Sequence, residues 1–150
     1  MFQRGLTPLN PFRDEDPLAA TRTQDGMSLS TLTEMGCVVV VLLPPVGSGA
    51  RRRWLRAVRD VRAVLESDGY RILLVHGEPD PDFAPFDLQY VARALDAEGA
   101  LYAHFELGHA KRFRVVGAPQ QLPGVAWFRD GALQRVERAA SFGDSPRLDA

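Results

Sequence analysis

Residues 37–43 read Cys-Val-Val-Val-Val-Leu-Leu, an apolar and mostly β-branched run with no polar alternation. The run offers no face to water and is far too short to cross a membrane. It therefore predicts a strand buried on both sides, as in a parallel sheet covered by helices. Pro44-Pro45 ends it. Tyr70–His76, built around Ile72-Leu73-Leu74-Val75, is a second run of this kind. Between them Trp54, Leu55, Val58, Val61, Val64 and Leu65 recur at helical spacing. Arg52, Arg53, Arg56, Arg59 and Glu66 fall mostly on the other face, and Gly69 is a stop signal, so the spacing predicts a helix from about Ala50 to Asp68. Strand, helix and strand in succession make a βαβ unit with parallel strands and a right-handed crossover.

The rest of the chain carries weaker signals. Residues 1–25 contain Pro8, Pro11 and Pro17 and read as an extended N-terminal arm, with residues 26–150 as the domain proper. Asp25-Gly26 marks a turn, and Met27–Leu32 fits a short strand or one helical turn. Glu78–Pro85 is a proline-rich loop, Leu88–Leu95 a short helix, Ala100–Leu107 a helical turn or two and Arg112–Val116 a short strand. Val125–Phe128 and Leu133–Arg138 flank Asp130-Gly131, a hairpin signal. The order predicts an α/β fold with a mixed central sheet, a βαβ unit followed by a ββ hairpin, flanked by helices. Ser145-Pro146 looks like a helix start, yet less than two turns of chain follow it, so a C-terminal helix is expected to be truncated or absent. The apolar surface left behind would fall to a dimer contact or to the N-terminal arm.

Composition narrows the function classes. A chain of 150 residues is one domain by length. Its 18 basic and 19 acidic residues leave a formal charge of −1, so no bulk field draws it to nucleic acid or to a membrane surface. Lys111 is the single lysine, a bias that fits genome composition or a use of arginine for anion contacts. Cys37 is the single cysteine, which rules out an intrachain disulfide, and His76, His104 and His109 lack the spacing of a zinc site. Neither a metal nor a cofactor is expected. Met1–Gly5 begin no long apolar run, so the expected location is the cytoplasm.

Several short stretches resemble the thioredoxin-like superfamily, and the peroxiredoxins (alkyl hydroperoxide reductase and thiol-specific antioxidant proteins) in particular. Asp25-Gly26-Met27-Ser28-Leu29-Ser30 resembles their entry segment, and Cys37–Leu43 with Pro44 their first core strand. Residues 96–108, from Asp96-Ala97-Glu98-Gly99 to Gly108, resemble a further segment of the same proteins. Leu122–Gly131 resembles a thioredoxin segment in which the proline is preceded by a cis peptide, which makes Pro123 the candidate cis-proline beside the site. The resemblance covers about residues 20–140 and departs at one point. Peroxiredoxins carry Pro-x-x-x-Ser/Thr-x-x-Cys, and the matching positions here are Pro44, Ser48 and Arg51. The Cys-x-x-Cys positions of thioredoxins fall on Gly47 and Ala50.

Peroxide reduction needs a thiolate that becomes a sulfenic acid, which arginine cannot supply. Cys37 lies at the far end of its strand, roughly 20 Å from the loop at about 3.3 Å per residue. It reads as an inert packing residue or, failing that, as a slow or sensor thiol. Gly47-Ser48-Gly49 opens a helix N-terminus, and Arg51 extends the inward stripe of Trp54, Leu55 and Val58. This end is either a solvated basic helix start or a site for a small anion or an acidic partner. A catalytic pairing of Ser48, His76 and Glu78 can be drawn, but no spacing enforces it. The resulting expectation is a peroxiredoxin-like module that has lost thiol peroxidase and disulfide reductase activity and binds a protein partner or itself. The alternatives are an antioxidant acting through Cys37 and an anion-binding domain.

Overall fold

A computed structural model of the chain describes residues 16–110 and 120–149. The elements in order are α1 (Pro17–Ala20), α2 (Leu29–Thr33), β1 (Cys37–Leu42), α3 (Gly49–Ser67), β2 (Tyr70–His76), β3 (Ala92–Leu95), α4 (Ala100–His104), β4 (His109–Ala110), β5 (Gln120–Gln121), β6 (Gly124–Arg129) and β7 (Ala132–Arg138). A 3-10 turn, Ala84–Phe86, precedes β3. Five strands form a mixed sheet in the order β3-β2-β1-β6-β7, and β4 and β5 pair apart from it.

β1 is the centre of the sheet, parallel to β2 and antiparallel to β6. Its alternate side chains feed two cores. Val39 and Val41 join Ile72, Leu74, Val125 and Trp127 beneath α3. Val38, Val40 and Leu42 join Leu73, Val75 and Phe128 beneath α2 and α4. This two-sided burial is what the uninterrupted apolar run predicts. Trp127 and Phe128 go to opposite faces, and both are buried. α3 packs Trp54, Leu55, Val58 and Leu65 inward, while Val64 from the expected stripe is exposed.

The turns follow local chemistry. Gly69 closes α3 at φ +90°, and Asp130 and Gly131, both at positive φ, make the tight β6–β7 turn expected of Asp-Gly. Ser28 caps α2 by accepting the N–H of Thr31, so Met27–Leu32 resolves to the helical alternative. The segment read as the end of an extended arm holds α1, and Thr23 bridges to Ala94 on the outer edge of β3.

Two expectations need correction and two fall outside the described residues. Leu88–Leu95 is not a helix. Its second half is β3, parallel to β2, because pairing along β2 and burial of Ala94 outweigh the helical preference of Ala, Arg and Leu. Ser145-Pro146 starts no helix. Residues 139–149 instead form an irregular tail across the α3 face. It is held by the Trp54 indole donating to the Asp144 carbonyl at 3.0 Å, by Arg53 on the Phe142 carbonyl and by buried Leu148. The strand expected at Arg112–Val116 and the arm before residue 16 lie outside the described residues.

Gly124 opens β6 where a side chain has no room. A Cβ there would lie 2.6 Å from Leu107 Cδ2 and 3.1 Å from the Glu137 carbonyl oxygen. Leu107 can shift, but the backbone oxygen of β7 cannot move without disturbing the ladder. Gly124→Ala is expected to lower stability by about 1–3 kcal/mol, the range for overpacking, read as a lower denaturation midpoint.

Candidate functional site

Because β1 and β2 are parallel, their carboxyl ends reach the same edge of the sheet, where α/β folds place their sites. The chain after β1, Leu43-Pro44-Pro45-Val46-Gly47, turns over this edge, with Gly47 at φ +86°. Ser48 then caps α3: its Oγ accepts the Arg51 N–H at 3.2 Å and donates to the Pro45 carbonyl at 2.7 Å. The hydroxyl is thereby committed, so the Ser48–His76–Glu78 pairing is not formed.

Arg51 is the central residue of this mouth. It is 8% exposed, although Arg52 and Arg53 beside it are exposed. One guanidinium nitrogen donates to the Pro44 carbonyl at 3.0 Å and to Glu78 Oε1 at 3.3 Å, and the other donates to Glu78 Oε2. Its carbon lies 5.7 Å from the centroid of the Phe83 ring. The solvated-end reading thus holds for Arg52 and Arg53 but not for Arg51. Glu78 lies just past β2, and the sequence suggested it as a partner of Ser48 and His76 but not of Arg51. The missed signal was the need of an inward arginine for a carboxylate.

His76 ends β2 and is 3% exposed. Its Nδ1 lies 2.8 Å from the Glu78 carbonyl oxygen, which fixes Nδ1 as the donor. Burial pushes its pKa below the ordinary 6.5. The Glu78 contacts oppose that shift, and the Arg51 and Arg93 charges reinforce it. Asp96 accepts the N–H groups of Leu101 (2.9 Å) and Tyr102 (3.4 Å) at the start of α4. Burial raises its pKa despite those hydrogen bonds. The Tyr102 hydroxyl, pushed up by burial, donates to the Leu43 carbonyl at 2.6 Å and sits 3.3 Å from that of Val75. It ties the two strand ends together.

Two cavities flank Glu78 and Val46. One of about 450 Å³ runs along the α3 start past Ser48, Arg51 and Arg52. One of about 360 Å³ runs past Pro44, Asp96, Tyr102 and Gln121. Together their walls hold Glu78, Asp80, Asp82, Asp96 and Glu98 against Arg51 and Arg52, so the mouth is acidic rather than basic. A larger cavity, about 540 Å³, lies between β7 and the tail at Asp144–Arg147 and shares no residue with the mouth.

The sequence-based site residues thus separate. Pro44, Gly47, Ser48, Gly49 and Arg51 meet at the mouth. Pro123 does not line it, and the Leu122–Pro123 peptide is trans, a correction to the cis-proline expectation. The chain there runs extended from β5 into β6, with the Leu122 N–H on the Gly108 carbonyl and the Pro123 carbonyl accepting from Ala139. Cys37 stands at the opposite end of β1, half-buried, in register with Tyr70 and Arg129. Among the described residues no group of His, Cys, Asp and Glu could hold a metal ion, and no helix is long and apolar enough to cross a membrane.

No protein family and no curated protein matches the sequence. Solved structures do match the fold. Peroxiredoxin Q of Xanthomonas campestris is 13% identical over 92% of this chain and 89% of its own, with a TM-score of 0.62. A cysteine-to-serine mutant of Xylella fastidiosa PrxQ is 11% identical over 85% and 84%, at 0.64. The peroxidoxin BcpB of Mycobacterium tuberculosis is 19% identical over 79% of each chain, at 0.59. The chain therefore has the thioredoxin-like fold of peroxiredoxins; identities this low establish the fold alone.

Two outcomes follow from the mouth. Glu78→Gln strands a buried guanidinium without its counter-charge and is expected to cost about 2 kcal/mol, below the range for fully buried pairs because Glu78 keeps some solvent contact. In chemical denaturation, Arg51→Met/Glu78→Gln together should be less destabilised than Glu78→Gln alone. His76, with its pKa depressed in the folded state, binds fewer protons there than in the unfolded chain. Its contribution is present above the unfolded value of 6.5 and is lost as pH falls through the window beneath it. Denaturation midpoints measured on both sides of that value should fall on acidification in wild type, and fall less in His76→Gln.

Proposed function

We propose that this protein is a thioredoxin-fold binding module whose strand mouth performs no thiol chemistry. The observation that carries this reading is the Arg51–Glu78 pair. Arg51 occupies the position that the peroxiredoxin resemblance assigns to the reactive cysteine, and its guanidinium is fixed by Glu78 and the Pro44 carbonyl. A guanidinium does not lose its proton at any relevant pH and cannot attack an O–O bond. Ser48 is held as a helix cap, and His76 has its pKa lowered by burial while its Nδ1 is committed to the Glu78 carbonyl. No side chain at the mouth is left as an activated nucleophile.

The two other readings have less support. Cys37 is separated from both cavities by the length of β1, roughly 20 Å at about 3.3 Å per residue. An anion at the α3 start would have to displace Glu78 from Arg51 and approach Asp80 and Asp82. The mouth suits a protein partner or a second copy of the chain, working from the cytoplasm, better than a small anion.

A peroxide-consumption assay with a thiol reductant tests the reading in wild type and Cys37→Ser. Both are expected to run at the uncatalysed rate. Turnover abolished by Cys37→Ser would reinstate the antioxidant reading. Turnover that survives the change would place chemistry at the mouth, and it too would sink the proposal.

A further inference from the structure

We infer that the base of the sheet, at the end opposite the mouth, carries a binding site for a small oxyanion, a carboxylate or a phosphate group. The site is formed by Tyr70, Trp127, Arg129, Gln134 and Arg135. It shares no residue with the mouth, so it stands whether or not the mouth is silent.

The register assembles it. Cys37 is opposite Tyr70 on β2 and Arg129 on β6, Val39 is opposite Trp127, and Trp127 is opposite Arg135 on β7. Directly opposed residues point to the same face, so Tyr70, Trp127, Arg129 and Arg135 share the α3 side of the sheet. They line a cavity of about 150 Å³ with Gln134 and Phe128. That volume suits a single carboxylate or phosphate group rather than a large molecule.

The chemistry of the lining is one-sided. A phenol, an indole, an amide and two guanidinium groups can all donate hydrogen bonds, and no carboxylate lines the cavity. Among the described residues neither Arg129 nor Arg135 forms an ion pair.

One donor there has no acceptor. Trp127 is 3% exposed, and its Nε1 is buried without a hydrogen-bond partner. The other tryptophan shows the usual solution, since Trp54 donates to the Asp144 carbonyl at 3.0 Å. The Tyr70 ring stands perpendicular to the Trp127 indole at 5.4 Å, and an aromatic face is only a weak acceptor. A buried N–H with no oxygen to meet is a defect that a bound oxyanion repairs.

Arg135 is the movable part. Its guanidinium lies 4.5 Å from the Trp127 ring centroid, one of its nitrogens donates to the Asp149 carbonyl, and the residue is exposed. Moved off the ring face and off the Asp149 carbonyl, its guanidinium can grip a ligand beside the indole in bidentate fashion. Arg129 supplies the second charge.

The two indole N–H signals in a ¹⁵N–¹H spectrum test the inference, with the Trp127 signal assigned by its loss in Trp127→Phe. Inorganic phosphate and acetate are titrated separately. The Trp127 proton is expected to move downfield and saturate with at least one of them, while the Trp54 proton stays in place. A response to phosphate alone marks a phosphate site and one to acetate alone a carboxylate site. In Arg129→Gln/Arg135→Gln the half-saturation concentration should rise about tenfold or more, with the Trp54 signal reporting that the fold is intact. The inference is overturned if neither anion moves the Trp127 signal at roughly ten times a millimolar Kd. It is equally overturned if both indoles move together, or if the double variant responds like wild type.

Discussion

Between Val38 and Leu42 the central strand places no polar side chain on either face, and all of it is buried. Such a strand must be paired on both edges and covered on both sides. Pairing with β2 is parallel and with β6 antiparallel, which forces the long crossover through α3 on one side and allows the tight β6–β7 hairpin on the other. The location of the mouth follows. β1 and β2 end together, the Leu43 N–H continues the ladder onto the Val75 carbonyl at 3.0 Å, and Tyr102 ties those ends from below. The site is the edge of a core and needs no device of its own to be positioned.

The arginine at that edge imposes further structure. Its position in the first turn of α3 sets a positive charge against the helix dipole, and its place on the inward stripe removes it from water. A thiolate there would be stabilised by the helix N-terminus itself, but a guanidinium must find acceptors elsewhere. Pro44 supplies a carbonyl, Phe83 a ring face and Glu78 a carboxylate. Drawing Glu78 inward fixes the chain just past β2 and brings its carbonyl onto His76. Through Glu78, Arg51 thus bears on the path of the loop after β2 and on the tautomer of His76, and its own charge is neutralised within the mouth.

This division explains what was legible in the sequence. The buried strands, α3 and the Asp130-Gly131 turn are written in local periodicity and turn chemistry, and the fold class followed from their order. β3 was not legible. Ala92-Arg93-Ala94-Leu95 is helix-forming in isolation and becomes a strand through pairing with Leu73–His76, a contact across fifteen or so residues of irregular chain. The C-terminal helix is absent, one of the two expected alternatives, but the path of the tail after Arg138 was not legible for a similar reason. Ser145-Pro146 is a sound local start for a helix, but the Trp54 indole and Arg53 hold the backbone by its carbonyls in another shape. At the mouth the inward direction of Arg51 was readable from its spacing to Trp54 and Leu55. Its partner was not, because nothing local distinguishes Glu78 from Asp80 or Asp82.

The same geometry gives the sheet an electrical direction that the net charge of −1 conceals. At the carboxyl ends of β1 and β2, the two cavities set five carboxylates against two guanidinium groups, and the Arg51–Glu78 pair neutralises one of each. At the other end the cavity around Trp127 holds two guanidinium groups and no carboxylate. The length of β1, roughly 20 Å at about 3.3 Å per residue, separates the two ends. In physiological salt the Debye length is about 8 Å, so exposed charges at one end are largely screened from the other. Distance and salt therefore separate the exposed charges of the two ends. A change of exposed charge at one end acts chiefly on that end.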